Sequence, residues 1–347
     1  MTTTISRLLI VAVLLCASAG AQEPSRADGT LVADAECSTR FASTYEQYAE
    51  RRKTFYAQEL EQAKKEGVRM TPIEDLTPYM MSRQDFDKRQ AYVGFECRRI
   101  TYLSDGLKVM GFIWKPKDTA GKKLPLIIYN RGGNRDDGKL FPWAWSGFYN
   151  LVSNGFVVIA SQYRGNDGGE GKEEFGGADV RDVLNLFPLA KSLGYVDMNN
   201  VFMYGASRGG MMTFVAIREG APINAAVVTA GLSDMIPEAK ARPLLVSEVW
   251  VQLIPGFKER PDEVMRERSA VYWADRINVP LMLQHGGADW RVSANNALTL
   301  AQRLQEHKKT YELIVYAGDD HGLTLNGRDA DRRAMEWFRK HMKQEAK

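Results

Sequence analysis

The sequence is poor in the residues that bind transition metals. It has three cysteines and four histidines in 347 residues, and none of their spacings resembles a zinc site. No dinucleotide fingerprint follows a predicted strand, and the glycine-rich stretch 161–171 lacks the Gly-Lys-Ser/Thr ending of a phosphate loop. We therefore expect no metal and no cofactor.

The sequence also lacks an excess of either charge. Lysine and arginine total 46 residues against 43 aspartates and glutamates, which leaves a net charge of +3 with neutral histidines. This balance gives no indication of the strongly basic surface that is typical of proteins binding nucleic acid or anionic membranes. We therefore expect no nucleic-acid partner.

The apolar run at the N-terminus is too short to cross a membrane. Residues 8–15 follow Arg7 and precede small residues that end at Ala21. This pattern is typical of a secretory signal peptide, so we predict that residues 1–21 are removed and that Gln22 becomes the first residue. The predicted location is the periplasm or the exterior of the cell.

The three cysteines lead to one open question. Leu15 stands before Cys16, where a lipoprotein signal needs a small residue, so we expect no stable membrane anchor. Removal of the signal peptide leaves Cys37 and Cys97 as the available pair in an oxidising compartment. A disulfide between them and two buried free thiols both fit the sequence.

Residues 22–91 are predicted to form a short helical N-terminal extension. Residues 41–67 place aromatic side chains at helical spacings and charged residues elsewhere. We expect this apolar stripe to pack on the main domain, and a lid or partner-binding role is the alternative.

Residues 92–347 have the pattern of one α/β domain. Stretches 92–102 and 107–114 predict a hairpin joined by Ser104-Asp-Gly106. Short apolar runs then alternate with helix-like segments, which predicts a mostly parallel central sheet with helices on both faces. The predicted strands are 124–129, 156–162, 201–204, 225–229, 281–285 and 312–316, and the predicted helices lie near 143–154, 178–193, 208–219, 294–307 and 329–342. The loops after the parallel strands should share one edge of the sheet.

The strand predicted at 201–204 runs into Gly205-Ala-Ser-Arg-Gly209. Small residues around a serine let a strand turn sharply into a helix and leave the hydroxyl exposed, the arrangement called a nucleophile elbow. The motif alone is weak evidence, but the strand before it and the helix-like run after it supply the required context. We predict that Ser207 is a nucleophile.

A serine nucleophile needs a base that removes its proton. His307 and His341 fall on charged helix faces, and His285 ends a buried strand before two glycines, where a structural role is favoured. His321 lies in the loop after the last predicted strand, at the expected edge. We predict that His321 is the base.

The base in turn needs a carboxylate that orients it. Asp289 follows the strand that ends at residue 285, which gives the chain order Ser, Asp, His of an α/β-hydrolase triad. Asp234 is the weaker alternative. Asp319 and Asp320 stand beside His321 in sequence, and we interpret them as acids that stabilise its loop.

The oxyanion of an acyl-transfer reaction needs hydrogen-bond donors placed before it forms. One donor is the backbone N–H of the residue after the nucleophile, here Arg208. The second should come from Asn130-Arg-Gly-Gly-Asn134, the loop after the first central strand. We favour the Gly133 amide, with Gly132 next, and we expect the Arg131 side chain to contact the substrate.

Residues 232–279 form a long insertion between two predicted strands, in a position that often caps a cleft. Met235 and Trp250 in this insertion, and Trp290 after the predicted acid, are our candidates for substrate contacts. Packing of these side chains in the core is the alternative.

These motifs together carry a family resemblance. From residue 92 to the end, the chain resembles the catalytic domain of the prolyl oligopeptidase family within the α/β-hydrolase superfamily. The matching pieces are Ser104-Asp-Gly-Leu107, Arg131-Gly-Gly133, Tyr163-Arg-Gly165, Gly205-Ala-Ser-Arg-Gly-Gly210, His285-Gly-Gly-Ala-Asp289 and His321-Gly322. The resemblance implies an α/β-hydrolase fold, with Ser207, Asp289 and His321 as the triad and Gly133 and Arg208 as oxyanion donors.

The chain also departs from the family pattern. Family peptidases usually carry a β-propeller, and residues 22–91 are too few to form one. Arg131 stands where members commonly have His or Tyr, and Arg208 where a Tyr is frequent. We therefore predict an exported serine hydrolase that cleaves a short peptide or another small amide or ester through an acyl-enzyme. The alternative is a carboxylesterase with little or no peptidase activity.

Overall fold

The computed structural model describes residues 27–37, 44–68 and 70–343, and the predicted signal peptide lies outside them. Nine strands occur in these residues: β1 (Leu31–Glu36), β2 (Phe95–Ser104), β3 (Leu107–Pro116), β4 (Leu124–Asn130), β5 (Val157–Ser161), β6 (Val196–Ala206), β7 (Ala225–Thr229), β8 (Leu281–Gly286) and β9 (Tyr311–Tyr316). They form one sheet in the order β1-β2-β3-β5-β4-β6-β7-β8-β9.

The sheet is antiparallel at one side and parallel elsewhere. Strands β1, β2, β3 and β5 pair antiparallel in that order. From β5 through β4, β6, β7 and β8 to β9, every pair is parallel. The predicted hairpin of β2 and β3 is confirmed, with Ser104 opposite Leu107 across a two-residue turn. The predicted order of strands and helices, and the mostly parallel sheet, are also confirmed.

Helices cover both faces of the sheet. They are α1 (Tyr45–Lys65), α2 (Arg83–Ala91), α3 (Trp145–Ser153), α4 (Val180–Leu184), α5 (Leu186–Ser192), α6 (Arg208–Arg218), α7 (Met235–Ala241), α8 (Pro243–Leu245), α9 (Val251–Leu253), α10 (Pro261–Glu267), α11 (Asn295–Glu306) and α12 (Gly327–Lys340). Side chains of β4 alternate between the two cores, since Leu126 and Ile128 pack with α4, α5, α6 and α11, whereas Ile127 packs with α3 and α12. Within the described part of the chain, no helix has the length and apolar character that crossing a bilayer needs.

The N-terminal extension is not wholly helical, and the prediction was wrong in this respect. Strand β1 pairs with β2, with Ala33 opposite Thr101, so the extension contributes an edge strand to the main sheet. Most of β1 is exposed to solvent, so it lacks the apolar alternation by which a half-buried strand is recognised. A disulfide joins Cys37, just after β1, to Cys97 on β2.

Helix α1 packs on α2 and reaches the loops at the carboxyl ends of the parallel strands. The rings of Tyr45 and Tyr48 each lie 5.7 Å from the ring of Phe86 on α2. Farther along α1, Glu59 forms an ion pair with Arg291 after β8, with 2.8 Å between Arg291 Nε and Glu59 Oε2. These contacts place the extension beside the carboxyl edge of the parallel strands.

Candidate active site

Ser207 occupies a sharp turn between β6 and α6. Its φ of 57° and ψ of −124° are unusual for a residue with a side chain, as expected at a nucleophile elbow. A Cβ added to Gly205 would collide with the carbonyl oxygen of Gly209, and one added to Gly209 would collide with the carbonyl oxygen of Asn130. The glycines of the motif are therefore required by the tight packing of the turn. Ser207 itself stays partly exposed.

His321 and Asp289 meet at the same edge of the sheet. Asp289 follows β8 and His321 follows β9, and these neighbouring strands are parallel. His321 Nδ1 donates to Asp289 Oδ2 over 2.7 Å. Because Nδ1 carries the hydrogen in this bond, a neutral His321 keeps the lone pair on Nε2, the nitrogen that a general base must use.

The Asp289 carboxylate is buried and fully engaged. Its Oδ1 accepts the amides of Arg291 and Val292 at 2.8 and 3.0 Å. Burial by itself would raise the pKa of the Asp289 carboxyl, but the His321 and His285 imidazoles hold that pKa well below its usual range. The carboxylate is therefore ionised when His321 needs its charge.

His285 contacts the carboxylate that His321 uses. Its Nε2 lies 2.9 Å from the carbonyl oxygen of Val292 and 3.1 Å from Asp289 Oδ2. A carbonyl oxygen can only accept, so Nε2 carries a hydrogen that faces both oxygens. The sequence favoured only a structural role for His285, and its contact with Asp289 was not predicted. The four-residue spacing of His285 and Asp289 across two glycines was the feature of the sequence that could have indicated this contact.

The loop after β9 (317–326), which we call the β9 loop, is organised by two carboxylates, as interpreted from the sequence. Asp319 is fully buried and accepts the amides of Asp320, Leu325 and Asn326. Asp320 accepts the amides of Gly322 and Thr324. These bonds fix the backbone on both sides of His321.

No hydrogen bond joins Ser207 to His321 among the residues that the structure describes. His321 keeps about a fifth of its side-chain surface exposed, 19%. Hydrogen bonds between a nucleophile and its base are often loose without substrate and tighten when it binds. The structure thus brings Asp289 and His321 into contact and leaves the third contact open.

The loop after β4 (131–138), which we call the β4 loop, runs beside Ser207. A Cβ added to Gly132 would lie 3.1 Å from Ser207 Cβ and 3.7 Å from Ser207 Oγ. Within residues 27–37, 44–68 and 70–343, no hydrogen bond uses the amides of Gly132, Gly133 or Arg208. These N–H groups therefore remain available to a ligand at Ser207.

The Arg131 side chain does not face the cleft, so the prediction that it contacts substrate was wrong. Arg131 is 1% exposed, and its guanidinium donates to the carbonyl oxygens of Gly132, Arg135, Asp137 and Gln162. It also lies over the ring of Tyr163, 5.1 Å from its centroid. Arg131 is thus the internal support of the β4 loop.

The Arg208 side chain is also turned into the protein. Its guanidinium is 2% exposed and pairs with Glu173 and Asp179, each at 2.5 Å. Arg208 Nη1 also donates to the carbonyl oxygen of Gly133 at 3.0 Å. The residue after Ser207 is therefore bonded directly to the β4 loop, which fixes the two candidate oxyanion amides relative to each other.

Replacement of Arg208 should strongly destabilise the fold. Arg208→Met leaves two buried carboxylates without their partner, and breaking a buried ion pair in this way costs about 3–5 kcal/mol. We expect urea unfolding to report a loss of this size in the free energy of unfolding. Arg332→Met is the matched control, because Arg332 also pairs with two carboxylates, Asp329 and Glu336, but is exposed.

The control should lose less than about 1 kcal/mol, the usual contribution of surface ion pairs. Equal losses for Arg208→Met and Arg332→Met would contradict the larger contribution of the buried ion pairs to stability. A loss confined to Arg208→Met, with Arg208→Lys intermediate, is the expected pattern.

The predicted apolar contacts to substrate are largely wrong. Met235 and Trp250 have no exposed surface and belong to the main core, where Trp250 packs between Phe175 and Phe257. Trp290 is 8% exposed and lies between the guanidinium groups of Arg242 and Arg291. Met235 and Trp250 therefore pack in the core, which was the alternative interpretation of the sequence. Trp290 exposes only a small part of its side chain, beside Asp289.

No metal site is formed by the described residues. Within 27–37, 44–68 and 70–343, no group of three or more His, Cys, Asp or Glu side chains is placed to hold a metal ion. The groups gathered at the site are instead a hydroxyl, an imidazole, a carboxylate and backbone amides. This set suits acyl transfer through a serine nucleophile.

Comparison with known proteins identifies similar sequences. The sequence profile of the prolyl oligopeptidase family matches residues 143–345. An uncharacterized peptidase of Bacillus subtilis, YtmA, is 32% identical over 223 residues, which cover 64% of this chain and 84% of that protein. Dipeptidyl-peptidase 5 of Porphyromonas endodontalis is 25% identical over 241 residues, but the match covers only 34% of its length.

A solved structure has the same fold. An acylaminoacyl peptidase of Pyrococcus horikoshii superimposes with a TM-score of 0.64 at 21% identity, covering 77% of this chain and 45% of that protein. At this identity the match establishes the α/β-hydrolase fold alone. No propeller is present in the described residues of our chain.

Proposed function

Since the chain belongs to the prolyl oligopeptidase family, whose members are serine hydrolases of the peptidase type, we propose that it cleaves short peptides through an acyl-enzyme. Ser207 Oγ attacks the carbonyl carbon while His321 Nε2 takes the hydroxyl proton. Asp289 holds His321 Nδ1–H and stabilises the imidazolium. His321 then gives the proton to the leaving amine, and a water molecule repeats the sequence to release the acid.

The amides of Gly133 and Arg208 are the proposed oxyanion donors. Both lack a partner within the described residues, and the Arg208 guanidinium bonds to the Gly133 carbonyl oxygen at 3.0 Å. Donors held rigidly before charge develops are the most effective kind, because no reorganisation is needed during reaction. Gly132, where an added Cβ would lie 3.1 Å from Ser207 Cβ, is the alternative second donor.

The strongest support for the proposal is the contact between His321 and Asp289. The 2.7 Å bond between His321 Nδ1 and Asp289 Oδ2 lies at the carboxyl edge of the sheet, where Ser207 occupies its strained turn. Three residues far apart in sequence reach one edge in the chain order of an α/β-hydrolase triad. A structural ion pair would not need a strained serine beside it.

Peptides are the proposed substrates rather than simple esters. The relatives named above are peptidases. The case for an esterase depended on the missing propeller and on Arg131 and Arg208 near the oxyanion site, and both of these side chains are buried and bonded within the protein. The esterase alternative therefore loses its support from these two positions.

We also propose that the enzyme is exported. The sequence pattern of residues 1–21 and the disulfide between Cys37 and Cys97 support this, because disulfides persist in oxidising compartments.

A fluorophosphonate probe tests the chemistry, and a substrate panel tests the specificity. The probe should label Ser207, as located by peptide mass spectrometry. The panel compares peptide amides, with free and acylated amino ends and with proline at different positions, against short-chain acyl esters. Turnover of at least one peptide amide is expected. Absence of labelling would contradict a serine hydrolase, and turnover of esters alone would favour a carboxylesterase.

A further inference from the structure

A cavity of about 510 Å³ opens beside the β4 loop. One wall is the tip of that loop with Arg135 and Asp136, and another is the loop after β5 (162–179), which we call the β5 loop. Leu253 at the end of α9 closes a third side. Apart from Leu253 and several glycines, the lining is polar or charged. A cavity of this kind suits a polar ligand group and not an apolar side chain.

The cavity is connected to the proposed oxyanion site through one side chain. Glu173 of the β5 loop lines the cavity, and its Oε1 accepts the Arg135 amide at 2.5 Å. The other oxygen of Glu173 pairs with Arg208, the residue after Ser207. One buried carboxylate therefore contacts both the tip of the β4 loop in the cavity wall and the residue after Ser207.

The negative charges of the lining are already paired. Glu173 pairs with Arg208 at 2.5 Å, Asp136 with Lys139 at 3.1 Å and Asp167 with Arg99 at 3.0 Å. These pairs leave no unpaired carboxylate in the cavity wall among the residues that the structure describes.

Two positive charges of the lining have neutral partners instead. Arg135 Nη2 donates to Gln252 Oε1 at 2.7 Å, and Lys172 Nζ donates to the Gln252 carbonyl oxygen at 3.0 Å. In the described part of the chain no carboxylate pairs with either cation. Gln252, on α9 within the insertion, thus holds a guanidinium and an ammonium next to the cavity without neutralising them.

We propose that this cavity binds a carboxylate of the substrate, so that the enzyme prefers short peptides with a negative charge in the portion that lies along the β4 loop. Guanidinium and ammonium groups bind carboxylates through charge-assisted hydrogen bonds, and the planar guanidinium can use two at once. The carboxylate is the free C-terminus of a short peptide or an acidic side chain. The inference builds on the proposed peptidase function and names the substrate class.

The test uses the best peptide of the substrate panel in three forms. The first has a free C-terminal carboxylate, the second a C-terminal amide, and the third an amide with glutamate in the leaving portion. The wild-type enzyme should cleave at least one charged form with a kcat/KM about tenfold or more above that of the neutral amide, mainly through KM. One charged hydrogen bond is enough for a factor of this size.

The double variant Arg135→Gln, Lys172→Gln should lose this preference while it cleaves the neutral amide as the wild type does. Lys122→Gln, Lys123→Gln is the matched control. It removes the same charge from exposed lysines before β4, at the opposite edge of the sheet, and should keep the preference. Added salt should weaken the preference, because exposed charges are screened.

The outcomes separate the two carboxylate sources and the two hypotheses. Preference for the first form alone identifies the C-terminus, and preference for the third identifies an acidic side chain. Equal cleavage of all three forms, or a preference that survives in the double variant, overturns the carboxylate site but leaves the peptidase intact. Failure of the wild type to cleave any peptide contradicts the proposed function itself.

Discussion

Ser207→Ala is expected to abolish turnover and probe labelling without unfolding the protein. The hydroxyl is the proposed nucleophile, and loss of a catalytic serine reduces kcat about a million-fold in a well-studied serine hydrolase. No hydrogen bond uses Ser207 Oγ within residues 27–37, 44–68 and 70–343, so its removal should change the free energy of unfolding little. Steady-state kinetics on a peptide amide, with urea unfolding alongside, measures both quantities.

Ser247→Ala is the matched control for this variant. Ser247 is an exposed serine of the insertion whose hydroxyl donates to the Leu244 carbonyl oxygen. The control should keep full activity and full labelling. Activity of Ser207→Ala within tenfold of the wild type would contradict the assignment of the nucleophile.

Asp289→Asn is expected to reduce kcat by about ten-thousand-fold while the fold persists. The asparagine oxygen can still accept the amides of Arg291 and Val292, so the turn after β8 should be kept. The side-chain NH₂ would then face His321 Nδ1 and force the hydrogen onto Nε2. In that tautomer the imidazole cannot accept the serine proton, and losses of about this size follow in the serine proteases.

Asp234→Asn tests the alternative carboxylate, which the sequence offered as a weaker candidate than Asp289. Asp234 accepts the Ile236 amide at the start of α7, and asparagine serves equally well in that capping position. We expect this variant to keep wild-type kcat and KM. A large loss in Asp234→Asn, or near-normal kcat in Asp289→Asn, would reverse the assignment.

The sheet and the contact between acid and base could be predicted because both depend on local patterns. Buried strands appear as short apolar runs, and parallel strands bring the residues after them to one edge. Asp289 and His321 follow adjacent strands β8 and β9, so their contact is a consequence of strand order. The glycines around Ser207 could also be interpreted from the sequence, because a side chain at Gly205 or Gly209 would collide with the backbone.

The substrate contacts could not be predicted in the same way. Met235 and Trp250 are apolar, and an apolar side chain in an insertion is equally suited to a core or to a cleft wall. The complete burial of Trp250 depends on its packing with Phe175 of the β5 loop and with Phe257 elsewhere in the insertion, which no local pattern encodes. The prediction for Arg131 failed for a different reason. A charged residue beside the predicted site suggests a contact with substrate, and only the fold shows that its guanidinium donates to backbone carbonyl oxygens instead.

The partners of Arg208 are also non-local. Glu173 and Asp179 lie in the β5 loop, 35 and 29 residues before Arg208. The sequence indicated only that the stretch 161–171, which precedes both acids, is rich in glycine. The two acidic residues face an arginine that stands where the family often has tyrosine, and a compensating pair of this kind emerges only when the fold is known.

The disulfide between Cys37 and Cys97 has a consequence for proteolysis. The two cysteines are separated by 60 residues, and α1 and α2 both lie between them. The chain therefore forms a covalent ring that includes the helix in contact with Arg291 beside Asp289. A single backbone cut within this ring leaves the N-terminal fragment attached through the disulfide to the fragment that contains the catalytic domain, until the disulfide is reduced. An enzyme that is cut after α1 can thus keep this helix at the catalytic edge in an oxidising compartment, and reduction removes the covalent link.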